Sequence, residues 1–245
     1  MTAVTLSLFA FDTLRARSWA LGQMAAAPIR LRAVPDLGFF KLMGSGAGAG
    51  FSVRPNFGVF ALLCEWPSAA IAAERIAGTE TMRRYREVAD RHTTIHMTPV
   101  SSRGAWSGHP LGAEGCADHG SGPVAALTRA TLRPRYLRRF WSRVPAISDA
   151  IEQQDAKLFM IGIGEIPWLH QVTFSIWNDA AAMRRFALSS PAHGEAVRRV
   201  REEGWFSEQL FARFAVRRID GEWPGLYGLD AMPAEKVTVP REAAE

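Results

Sequence analysis

Six histidines, His92, His96, His109, His119, His170 and His193, carry most of the reactive potential of this chain. An imidazole can move a proton near neutral pH or bind a metal through one nitrogen. His193 stands in S-S-P-A-H-G-E-A-V-R-R (Ser189 to Arg199), at the expected start of an amphipathic helix. Facing an apolar cavity, it would serve as the single axial ligand of a haem iron, with Arg198 and Arg199 pairing with the propionates. A helix-capping or solvated histidine is the alternative reading of the same position. His170 opens the apolar strand HQVTFSIW. Pointing inward it would touch a ligand and carry a proton; a structural histidine in a sheet is the competing reading. His92 and His96 are four apart but in a strand-like segment, so their spacing does not make a helical metal pair. His109 and His119 fall in a Gly-rich stretch and read as surface residues.

Other motifs exclude more than they suggest. H-E-x-x-H, C-x-x-C-H and G-x-S-x-G are absent, as is any 2-His-1-carboxylate spacing. The run GSGAGAG (Gly44 to Gly50) precedes a strand rather than a helix, so it reads as a hairpin-like lid or a close backbone approach to a ligand, not a phosphate loop. Cys64 lies in an apolar run and Cys116 in a Gly-rich loop, which is neither a disulfide framework nor a zinc site, so a reducing cytoplasm is expected. The N-terminal segment lacks the pattern of a signal peptide, and no apolar stretch reaches the ~18 residues of a spanning helix. Lys and Arg number 29 against 24 Asp and Glu, and the excess is mostly Arg. That balance suits an anionic lipid surface or an acidic partner; nucleic acid is disfavoured because no basic stripe or tail accompanies it. Eight Trp and 14 Phe would fill a core or line a cavity for a large apolar ligand.

These residues need elements to hold them. In the first half, strands are expected over Val4–Phe11, Phe39–Gly44, Phe57–Trp66 and Thr93–Pro99. Helices are expected from Asp12 or Thr13 to Ala26, over Ser68–Ala77 and over Thr79–Arg91. The second half repeats the order: strands over Val124–Leu132, Leu158–Glu165, His170–Trp177 and Leu210–Ile219, with helices from Pro134 to about Gln154, over Asp179–Leu188 and over Pro191–Glu203. Trp66-Pro-Ser-Ala-Ala and Trp177-Asn-Asp-Ala-Ala follow the central strands, and A-W-S-G at Ala105 answers E-W-P-G at Glu222. Matching order and punctuation point to a duplication. The expected fold is α+β, two ferredoxin-like halves whose antiparallel sheets pack together in a dimeric α/β-barrel-like arrangement within one chain. The expected boundaries are 1–108 for the first half, 109–122 for a Gly-rich linker, 123–230 for the second half with the ligand site, and 231–245 for a tail.

SLFAFDTLRARSWALGQMA, LGFFKLMGSGAGAGF, PVAALTRATLRPRYLRRFW, IGIGEIPWLHQVTFSIW and GWFSEQLFARFAV run through almost the whole chain, and in them it closely resembles the spheroidene monooxygenase family of purple photosynthetic bacteria. The resemblance implies oxygen insertion at C-2 of acyclic carotenoids such as spheroidene and hydroxyspheroidene. Two hydroxylations of one carbon give a geminal diol, which loses water to a ketone. It also implies haem iron, molecular oxygen as co-substrate and a ferredoxin-type electron donor. On this reading His193 is the iron ligand and His170 is catalytic. Arg198, Arg199, Trp177 and Trp205 surround the cofactor, and Trp168 and Phe174 join the two tryptophans along the polyene. A cytoplasmic homo-oligomer that touches the photosynthetic membrane peripherally is expected. Another haem enzyme of the dehydratase or peroxidase type, and a non-enzymatic protein binding apolar ligands, are the alternatives the residues leave open.

Overall fold

A computed structural model describes residues 1–47, 52, 54–112, 122–144, 156–189 and 202–226. The first strand, β1 (Ala3–Ala10), is buried at every position. Its alternate residues face different sides, Val4, Leu6 and Leu8 toward one core and Phe9 toward another, and the buried Thr5 and Ser7 are satisfied by Trp66 Nε1 and Thr94 Oγ1. Helix α1 (Leu14–Leu31) starts where Thr13 Oγ1 accepts the Ala16 N–H at 3.2 Å. It continues past the expected end at Ala26 and through Pro28, because burial of Ala27 and Leu31 offsets the one backbone hydrogen bond that a proline forfeits.

The remaining strands are β2 (Phe39–Gly46), β3 (Pro55–Trp66), β4 (Arg91–Gly104), β5 (Val124–Leu132), β6 (Lys157–Gly164), β7 (His170–Trp177) and β8 (Phe206–Gly221). Helices α2 (Ala69–Gly78) and α3 (Glu80–Val88) lie between β3 and β4. A 3-10 turn (Pro134–Tyr136) leads into the short α4 (Leu137–Trp141), and α5 (Ala180–Ser189) follows β7. The rest of the helix expected to reach Gln154 and most of that expected from Pro191 lie outside the described residues.

All strand pairs are antiparallel and close a barrel in the order β1-β3-β2-β6-β7-β5-β8-β4. The first four strands and the last four therefore occupy the same relative order. The expectation of two sheets packed together is corrected in one respect: they join edge to edge. Pairing β4 with β8 satisfies the edge N–H and C=O groups along one side of both sheets, and a short β2/β6 pairing closes the other. The uncovered faces become a filled lumen, which includes Leu6, Met43, Leu63, Leu127, Ile161 and Phe174.

The two joints are unequal. β4 and β8 pair at eleven positions, which is why both outrun their expected lengths, whereas β2 and β6 pair only at Gly44–Gly164 and Ser45–Ile163. Each long strand ends in the same G-x-W-x-G: Gly104 to Gly108 after β4, Gly221 to Gly225 after β8. Gly104 and Gly221 have φ of 94° and 87°, and a Cβ there would lie 2.1 Å from Gln209 O and 2.5 Å from His92 O. Only glycine fits both. The turns fold Trp106 and Trp223 into the lumen core, and since β4 and β8 run in opposite directions, the two indoles close opposite mouths.

Candidate active site

The inward positions of the strands carry apolar side chains through the lumen and then, at the Trp106 mouth, turn polar. Lys41 follows the alternation of β2, Glu65 that of β3, Arg129 that of β5 and Glu208 that of β8. Glu165 comes directly after β6, and His170 opens β7. Lys41 Nζ donates to Glu165 Oε1 at 2.8 Å and to Ser107 Oγ at 2.7 Å. Trp106 Nε1 donates to Glu165 Oε2 at 2.7 Å. Arg129, only 1 % exposed, donates to Glu208 and stands 3.9 Å from Glu165, with its guanidinium over the Trp106 ring. Glu65 accepts from the Gly112 N–H at 2.7 Å and meets His109, whose ring stacks on Phe39. His109 is thus part of the mouth rather than an ordinary surface residue.

Burial works to raise the Glu165 carboxyl, but the Lys41 and Trp106 donors and the Lys41 charge outweigh it and hold the group below its usual range. His170 Nδ1 faces Glu165 Oε2 at 3.5 Å, an ion-pair distance rather than a formed hydrogen bond. Burial pushes the His170 imidazole down; Glu165 opposes this, and the nearby Arg129 and Lys41 charges add to it. The ring is therefore neutral near pH 7.

His170 and Glu165 also border a groove of about 270 Å³ over the β2/β6 joint, on the side of the sheet that carries the helices. Its floor is bare because Gly44, Gly46, Gly162 and Gly164 supply no side chains. Leu21 and Met24 of α1, Phe60 of β3 and Trp141 of α4 wall it, and Phe57, Ile166 and Trp168 stand at its rim. A second cavity of about 380 Å³ shares Ser45, Gly46 and Asn56 with the first and runs on along β6 to Lys157 and Trp223. The first groove is mostly apolar and has one imidazole and one carboxylate in its lining, the setting for an apolar ligand held beside two polar groups.

Of the expected site residues, His170 and Trp168 border this groove. Phe174 belongs to the lumen core. Trp177 is buried on the other face of its strand, stacked on Phe186, with Nε1 donating to Ser175 Oγ at 3.0 Å. Trp205 is buried against Tyr136 and donates to Glu203 Oε2 at 3.0 Å. Neither indole is among the residues that line the groove. His193, Arg198 and Arg199 lie outside the described residues.

The haem-iron expectation is corrected. Among the described residues no group of three or more His, Cys, Asp or Glu side chains is placed to hold a metal ion. The carboxylates that do converge are already paired with Lys41, Arg129 and Trp106, and His170 sits in the positive field of Lys41 and Arg129. His96, the one buried histidine among the described residues, is engaged by Asp220 at 3.0 Å.

Lys41, Arg129, Glu165 and Trp106 did not enter the sequence reading as site residues. The signal was present: Lys41 and Arg129 interrupt FFKLMG and VAALTRATL at inward positions, where a charge requires a buried partner.

No model of a protein family matches the chain. A spheroidene monooxygenase of Rhodobacter capsulatus is 41% identical over 240 residues, covering 97% of this chain and 100% of that protein. The chain belongs to the spheroidene monooxygenase family. A second member, from Cereibacter sphaeroides, is 41% identical over 226 residues, 92% of this chain and 70% of that one. Family membership makes the chain an enzyme, and the non-enzymatic reading is set aside. Among solved structures, an aldoxime dehydratase crystallised with butyraldoxime aligns at a TM-score of 0.57 with 12% identity, over 88% of this chain and 79% of that one. At that identity the likeness extends to the fold alone.

Proposed function

We propose that this chain is a monooxygenase that inserts oxygen from O2 at C-2 of spheroidene and hydroxyspheroidene, and that the groove over the β2/β6 joint receives the end of the polyene that reacts. The observation that carries the reading is an apolar groove with a glycine floor and with His170 and Glu165 in its lining. In each turnover one atom of O2 enters a C–H bond and the other leaves as water, so two electrons must arrive from outside. A ferredoxin-type donor is the proposed source. Conversion of the geminal diol to the ketone takes a proton from one hydroxyl and gives one to the departing hydroxyl. A neutral His170, with Nδ1 turned toward Glu165, offers Nε2 for that transfer. The described residues thus contribute binding, orientation and proton handling.

The halves are proposed to be duplicated ferredoxin-like units over 1–108 and 123–230, joined by 109–122 and followed by a tail over 231–245. The shared strand order and the repeated G-x-W-x-G support this. The test is to incubate the purified chain with spheroidene, labelled dioxygen and a reduced ferredoxin system, and to follow products by mass spectrometry. A ketone carrying the label supports the reading. Unchanged spheroidene, with a His170→Ala variant indistinguishable from wild type, removes it.

A further inference from the structure

Large apolar side chains exposed to solvent are not scattered over this molecule. Of eight among the described residues, Leu21, Phe57, Ile166 and Trp168 border the groove, with exposures of 52 %, 56 %, 45 % and 50 %. Leu14, 80 % exposed, lies seven residues before Leu21 and so on the same face of α1, roughly 10 Å along its axis. A patch of this kind at the mouth of a cavity marks an interaction surface rather than ordinary exposed residues.

The two helical segments beside it carry arginine and no carboxylate, while the acidic groups at its edges are Glu165, paired with Lys41, Glu203, paired with Arg139, and Asp12 before α1. Helix α1 contains Arg15, Arg17 and Arg30 and no acidic residue. The segment 133–143, which supplies Trp141 to the groove wall, contains Arg133, Arg135, Arg138, Arg139 and Arg143 and no acidic residue. Some of these guanidiniums have local duties: Arg17 donates to Phe11 O at 2.9 Å, and Arg139 pairs with Glu203 at 2.9 Å. Arg15 and Arg138 are exposed. Apolar side chains at the centre and arginines around them fit the interface of a lipid bilayer that carries anionic headgroups: the apolar groups enter the acyl boundary and the guanidiniums meet the phosphates. A second copy of this chain would bring the same arginines against themselves, which like-charge repulsion opposes. No described helix is long and apolar enough to cross a membrane, so contact through these helices is made from the surface.

We infer that the face formed by α1, the groove rim and α4 docks on an anionic bilayer, so that the groove opens directly onto the lipid. The inference rests on the reading of the groove as the site for a carotenoid, since only a lipid-dissolved substrate gives this placement a purpose. The docked orientation lets one end of the ligand enter the groove without crossing water.

The experiment uses the full chain and a Leu14→Asp/Arg15→Glu variant. Neither residue lines the groove, and both new carboxylates fall in the first turn of α1, where the helix dipole favours them, so folding is preserved. Co-sedimentation is measured with phosphatidylcholine vesicles, with and without phosphatidylglycerol. Wild type is expected to bind the anionic vesicles, and less so as salt is raised; the variant is expected to bind them roughly tenfold or more weakly. Oxidation of spheroidene dispersed in detergent is expected to be the same for both proteins, while oxidation of spheroidene embedded in anionic vesicles falls in the variant. Wild type that ignores anionic vesicles, or a variant that binds them equally well, overturns the inference. So does a wild-type dimer that the variant dissociates with no change in vesicle binding. Failure of wild type to oxidise detergent-dispersed spheroidene counts against the carotenoid reading alone, because vesicle binding is read without substrate.

Discussion

Gly44 offers a substitution that separates ligand binding from folding. It lies in β2 on the floor of the groove, and a Cβ built there meets nothing within 4 Å. Its φ is not in the left-handed region, so a side chain is tolerated by the backbone. Gly44→Leu adds four carbons to a space of about 270 Å³. Those carbons displace an equal stretch of apolar ligand. At about 0.8 kcal/mol for each buried CH2, roughly 3 kcal/mol of binding is lost, about two orders of magnitude in affinity. Folding moves the other way, because replacing glycine within a strand stabilises by about 0.5–1 kcal/mol. Steady-state oxidation of spheroidene, alongside urea unfolding, reads both. The expected result is KM raised about a hundredfold, kcat little changed and a midpoint equal to or above that of wild type. A well-folded Gly44→Leu protein with wild-type KM refutes the placement of the polyene over the β2/β6 joint.

The His170 imidazole is depressed by burial and by Arg129 and Lys41, so its neutral form should persist below pH 6.5; the acid limb of kcat/KM is expected under that value and should vanish in His170→Ala. The depressed Glu165 carboxyl contributes stability that is complete above about pH 4.5 and lost as pH falls through its folded value; Glu165→Gln should remove that acid dependence. The same variant leaves Lys41 and Arg129 facing each other and is expected to cost about 2–4 kcal/mol in urea unfolding at pH 7. Gly104→Ala, whose Cβ would lie 2.1 Å from Gln209 O, is expected to lower stability by at least about 2 kcal/mol, visible as a lower thermal midpoint.

Local order was well written in the sequence. Val124–Leu132 and His170–Trp177 are strands at the expected bounds, and α2 starts at Ala69 beside the expected Ser68, which caps it by accepting from the Ile71 N–H at 3.3 Å. The overruns of β4 and β8 were not legible, because each strand is extended by the other across more than a hundred residues of chain, and no local pattern records that pairing. Nothing local in the sequence separates Arg86 from Arg83 and Arg84, yet Arg86 donates to Ile76 O and Ala77 O at 2.6 and 2.8 Å and satisfies the carbonyl end of α2. At the site, His170 stood out as a lone imidazole. Glu165 and His170 flank the β6–β7 turn and Arg129 comes from the neighbouring β5, but Lys41 belongs to β2 of the other half, and only closure of the barrel brings its charge to Glu165.

A ring joined firmly at one point and lightly at its opposite behaves like a hinged bracelet with a clasp. Eleven residue pairs make the hinge between β4 and β8, and two make the clasp between β2 and β6. Thermal fluctuations open the wall first where the fewest hydrogen bonds must break. The clasp lies directly beneath the groove. The floor of the groove is therefore the most yielding part of the barrel wall, and whatever lies on it meets a surface that can adjust to its shape.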